Sequence, residues 1–247
     1  MVIWFSLWGA TAHAETLSSG FATPAGAVRR PADAWGAWLR ELPLREEGTP
    51  VRSHLGDVLA MPAARVVDLP LVKGDLQQCA DSILRLRATW ERTTGGSPAF
   101  HYTSGFLSRY ADWTAGLRPR VSGSKVTQVG GGARGDSDAA FDAWLTDLFM
   151  YAGTRSLAKE VREVPLAEVA PGDLFVAPGS PGHAVLVLDV ATRGGDTWLL
   201  VGQGFMPAMD FHVVAGPAGG WFPVAGAELP TVPIPMDWTT LGRFATR

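Results

Sequence analysis

The sequence predicts an α+β fold in which N-terminal helices pack on a C-terminal antiparallel β-sheet. Two observations carry this. Apolar residues recur at three-and-four spacing through residue 152, whereas from residue 174 onward they fall in short runs broken by Gly, Pro or Asp. With 10 Trp, 29 Gly and 18 Pro in 247 residues, the composition also speaks for a loop-rich fold rather than a helical bundle. The length and 47% hydrophobic content suit one large domain, residues 30–247, preceded by a linker at residues 15–29.

Residues 1–14 form a short apolar run ending in Ala12-His13-Ala14, the small-x-small pattern of a signal-peptidase site, although no Lys or Arg precedes it. The expectation is a cleaved signal peptide and a periplasmic or secreted mature protein. Pro31 to Leu42 then carries Trp35, Trp38, Leu39 and Leu42 on one helical face. Glu46 to Pro50 reads as a turn, and Val51 to Val72 as one or two strands. From an N-cap at Asp75, a long helix runs to Thr93 with Leu76, Cys79, Ile83, Leu86 and Trp90 on one face. Ala99 to Thr103 is a short strand, Ser104 caps a helix through Trp113, and Val121 to Val129 is a further strand. A helix from Ser137 to Ala152 completes the helical part. Leu174–Ala177, His183–Val190, Trp198–Gln203 and Phe211–Val214 are consecutive strands.

A net charge of −3, with 21 basic and 24 acidic residues dispersed along the chain, gives no footprint for nucleic acid or an anionic membrane. The N-terminal apolar run is too short to span a bilayer, so no integral membrane segment is expected in the mature chain. Gly130-Gly131-Gly132-Ala133-Arg134-Gly135 fits G-x-G-x-x-G, but no second parallel strand with a terminal acid follows, and a turn-forming loop accounts for it better. His54, His101 and His212 lack metal-ligand spacing, and a zinc site from Cys79, His183 and His212 is the weaker account, so neither metal nor cofactor is expected. No G-x-S-x-G is present. Arg85, Arg87 and Arg92 read as a solvated helix face.

Chemistry points to Cys79, the one cysteine of the chain, which excludes an intramolecular disulfide. A nucleophilic thiol needs a lowered pKa and a base within reach. A helix N-terminus and an imidazole from elsewhere in the fold supply both. His183 opens an apolar strand, and Gln203, at the end of the next strand, can fix the imidazole tautomer. Gln77, Gln78 and the Cys79 N–H are candidate oxyanion donors. Met206 and Asp210 lie in a loop that can wall a substrate cleft. The competing account is a small buried hydrophobe, because Cys79 shares its face with Leu76, Ile83, Leu86 and Trp90.

The turn Pro171-Gly172-Asp173 before one strand and His183-Ala184-Val185 opening the next resemble the histidine half of papain-like cell-wall cysteine peptidases of the NlpC group. That group also carries its cysteine at a helix N-terminus ahead of the histidine, with an Asp-Cys-Ser-Gly-type sequence where this chain has Gln78-Cys79-Ala80-Asp81. The resemblance implies a papain-like core, hydrolysis at an amide, and a peptide or peptidoglycan substrate. Over residues 30–245 the chain is similar to the bacterial domain-of-unknown-function family 4846. The similarity rests on Trp38-Leu39-Arg40-Glu41-Leu42-Pro43-Leu44, Asp75 to Asp81, Tyr102-Thr103-Ser104-Gly105-Phe106, Tyr151 to Thr154, Gly179 to Val185 and Met206 to Asp210. Two functions follow as expectations: an exported papain-like cysteine amidase or peptidase, or a non-catalytic envelope binding or structural protein with a buried cysteine.

Overall fold

A nine-stranded antiparallel sheet organises the molecule, seen in a computed structural model that describes residues 15–133 and 135–245. Its path runs Ala63–Val66, His212–Val214, Asp196–Gln203, His183–Arg193, Leu174–Ala177, Leu241–Phe244, Val161–Glu163. Val28–Arg29 adds to the far end of the histidine strand His183–Arg193, and Trp221–Pro223 to the start of the glutamine strand Asp196–Gln203. The expected signal segment, residues 1–14, lies outside the described residues.

The histidine strand is central and buried on both faces, which is why it reads as an unbroken apolar run. Ala184, Leu186 and Leu188 join the larger core with the helices, while Val185, Val187 and Val190 join a second core closed by Leu229, Met236 and Leu241. Alternation of side chains along a strand produces this division. Asp189, 1% exposed, is held by Arg29 at 2.6 Å and Arg40 at 2.6 Å, so its buried charge is paired.

Three helices of seven or more residues, Ala34–Arg40, Cys79–Thr93 and Asp138–Tyr151, are found among the described residues. Asp33 caps the first by accepting from Gly36 N at 2.8 Å, and Ser137 caps the third by accepting from Ala140 N at 3.2 Å. The cysteine helix, Cys79–Thr93, lays Ile83, Leu84 and Leu86 into the larger core.

Several expectations are corrected. Asp75 does not cap the cysteine helix, because its carboxylate is taken by Ala208 N at 2.6 Å. Gln78 is the N-cap, with the Asp81 carboxylate accepting from its backbone N–H at 3.1 Å, and Cys79 becomes the first helical residue. Ser104 caps no helix: it lies in the turn of a hairpin, Ala99–His101 with Leu107–Arg109, where Gly105 takes φ +90°. Val121 to Val129 is likewise a hairpin, Leu117–Ser122 with Lys125–Gly130, turning at Gly123 with φ +58°. Arg85, Arg87 and Arg92 are not a solvated face. Arg85 is 6% exposed and bonds Asp142 and Gln77, Arg87 lies 4.3 Å over the Trp90 ring, and Arg92 pairs with Asp136 and Asp138. The strands Val161–Glu163 and Leu241–Phe244 were not expected: they carry alternating polar residues and gain their partners only from remote sequence.

Candidate functional site

The ladder between the histidine and glutamine strands ends with Gly202 opposite Leu186, and Cys79, His183 and Gln203 gather beyond that pair. Cys79 is the first residue of its helix, where the N–H groups have no partner within the helix. The backbone N–H groups of Ala184, Ala80 and Cys79 itself lie near its sulfur and favour the thiolate. The thiol therefore rests against the residue that follows His183.

The imidazole is oriented by Gln203. His183 Nε2 lies 2.9 Å from Gln203 Oε1, and Gln203 Nε2 donates to the Val232 carbonyl at 2.7 Å. Because a carbonyl accepts only, the amide group facing Val232 must be the NH2, which leaves the amide oxygen for the ring. The proton of a neutral His183 is thus on Nε2, and Nδ1 is a bare lone pair, buried and with no hydrogen-bond partner. Burial lowers the His183 pKa, with Gln203 opposing. Phe205 stands edge-on to this ring at 5.3 Å, an aromatic neighbour absent from the sequence-based site.

The thiol departs from expectation. Burial, and then the nearby Asp81 carboxyl, push Cys79 up to about 11, outweighing the N–H groups that favour the thiolate. Asp81 is itself raised to about 8 by burial, against the pull of the Gln78 N–H, and its Oδ1 has no hydrogen-bond partner. In this conformation Cys79 is 7% exposed, His183 1% and Gln203 0%. Burial thus favours the neutral forms of the thiol and the imidazole and the protonated form of the carboxyl.

The remaining predicted residues divide. Gln77 is a strut: its Oε1 accepts from Val72 N and Arg85, and its Nε2 donates to the Pro70 carbonyl at 3.2 Å, so its amide is spent inside the fold. Gln78 is half-buried, with its amide on Asp75 at 3.3 Å. Met206 is 43% exposed, on the surface beside Phe205. Asp210 does not reach toward His183; it accepts from Arg52 N at 2.9 Å and pairs with Arg45 at 3.0 Å. Met209, Phe211, Trp221 and Phe222 are core.

His212, directly opposite Gln203 on the next strand, was passed over by sequence reasoning except as a metal ligand. Its Nδ1 donates to the Asp210 carbonyl at 3.1 Å, and burial lowers its pKa. No three His, Cys, Asp or Glu side chains among the described residues come together to hold a metal ion. Gly182 lets the chain pass close before His183, since a Cβ there would fall on Thr154 Oγ1 and within 2.8 Å of the Ala177 carbonyl.

A family model described as Domain of unknown function (4846) matches residues 17–239. No curated protein and no solved structure matches the chain.

Proposed function

Because the chain belongs to the domain of unknown function (4846) family, whose description names no reaction, its function is read from the site, and we propose a cysteine hydrolase acting by acyl transfer at an amide. The observation that carries the reading is the His183–Gln203 pair, which leaves a bare Nδ1 on the residue adjoining the one that contacts the Cys79 sulfur. On this reading the core is papain-like.

The resting pair is neutral, so the mechanism is general-base assisted. As the Cys79 sulfur attacks the carbonyl carbon, its proton passes to His183 Nδ1, and Gln203 stabilises the imidazolium through Nε2–H. The imidazolium then protonates the leaving nitrogen as the C–N bond breaks, giving a thioester. Water, deprotonated by the same Nδ1, attacks the thioester, and the carboxylic acid leaves as the thiol is restored. The Gln78 side-chain amide, half-buried and weakly held, is the donor for the oxyanion. A peptide substrate, including a peptidoglycan peptide, fits this chemistry by resemblance to the NlpC group. Export through a leader in residues 1–14 belongs to the same proposal.

A second reading is favoured by the buried thiol and its raised pKa: a non-catalytic envelope binding protein with Cys79 as a packing residue. Alkylation distinguishes them. On the hydrolase reading, iodoacetamide modifies Cys79 in the folded protein and His183→Ala slows it; a thiol modified only on unfolding supports the binding protein.

A further inference from the structure

The loop at residues 230–235 joins two paired strands, Glu228–Leu229 and Met236–Asp237, whose Leu229 and Met236 are anchored in the core beneath the histidine strand. Pro230, Pro233 and Pro235 restrict its backbone and remove three N–H donors. Inside it, Thr231 is 2% exposed and its hydroxyl donates to the Ile234 carbonyl at 2.8 Å, while Thr231 N donates to the Leu229 carbonyl at 2.8 Å. The loop is therefore braced on itself. The Val232 side chain is 51% exposed, yet its carbonyl reaches the buried Gln203 amide at 2.7 Å.

We propose that this proline-rich loop is a positioning element for the site, its Val232 carbonyl fixing the Gln203 amide and through it the tautomer of His183. This rests on the reading of His183 as base, and adds that the base is set from outside the Cys-His-Gln group. Without the carbonyl, either face of the amide can turn to the ring. With NH2 toward the ring, His183 Nε2 would have to accept, and the proton would move to Nδ1, the nitrogen that must be bare to take the thiol proton. One backbone carbonyl thus separates a competent base from an incompetent one. Because the loop presents Val232 at the surface, whatever displaces it disarms the site.

The test is the tautomer itself, read from the ring 15N shifts of His183 in the labelled full chain. Wild type should show the Nε2–H form. Replacing residues 230–235 by Asn-Gly, a two-residue turn suited to joining paired strands, removes the Val232 carbonyl and should shift the Nε2–H to Nδ1–H ratio about threefold to tenfold, the worth of one neutral hydrogen bond. Thr231→Val, which removes only the internal brace, should shift it in the same direction, and Thr231→Ser should restore it. An Nδ1–H form in the wild type overturns the proposal. So does an unchanged ratio in the shortened chain, or, if that chain fails to fold, in Thr231→Val. Failure of the hydrolase reading shows separately, as an inert thiol beside a His183 that is still in the Nε2–H form.

Discussion

Asp81 sets the electrical environment of Cys79 as much as the helix does. Its folded pKa, about 8, lies above the ordinary 3.8, so the fold favours its protonated form. The stabilisation this gives is complete below pH 3.8 and is lost as pH rises through 8. Asp81→Asn, which keeps an oxygen for the Gln78 N–H, should flatten the decline in stability between pH 4 and pH 8 by about several kcal/mol, measured by urea denaturation across that range. The same variant removes the charge that raises the thiol, so it should also bring Cys79 below 11 in a pH titration of thiolate absorbance. His183 titrates in the opposite sense: burial lowers it, so the acid limb of any His183-dependent rate should lie below pH 6.5. That Cys79 opens a helix, and that His183 and Gln203 stand at the ends of neighbouring strands, was legible because order along the chain and position at element ends are sequence properties. Gln77 and Asp210 were not, since Arg85, Pro70, Arg45 and Arg52 claim them from distant positions.

The cysteine helix and the histidine strand form the mechanical unit that brings thiol and imidazole to one end of the sheet. Ile83 is 0% exposed, on the helix face within the larger core. Ile83→Ala should cost about 2–5 kcal/mol, by lost transfer energy and the cavity left behind, and chemical denaturation will show it. Asp33→Ala, removing the cap of Ala34–Arg40, should cost about 1 kcal/mol, with the site unchanged. The three long helices were readable from three-and-four apolar spacing, and the C-terminal strands from short apolar runs. The start of the cysteine helix was misplaced because an Asp at the right spacing looks like a cap, while the Ala208 N–H that captures it lies 133 residues away. The hairpins at 99–109 and 117–130 hid behind Gly105 and Gly123, which can mark loops and tight turns alike.

At the scale of the molecule, the sheet has both faces covered, and the site sits where its two central strands end rather than in an open cleft. No helix among the described residues is long and apolar enough to cross a membrane. Phe205 stands edge-on to the buried imidazole, so substrate access on the hydrolase reading requires its ring to give way while the Val232 carbonyl stays on Gln203. The most direct test is the alkylation rate of Cys79 from pH 5 to pH 11, compared between wild type, His183→Ala and Gln203→Leu. The hydrolase reading predicts a plateau of reactivity near neutral pH in wild type that both variants lose, leaving only the limb that climbs toward 11. A wild-type thiol whose profile is already that single limb, unchanged by either substitution, contradicts it.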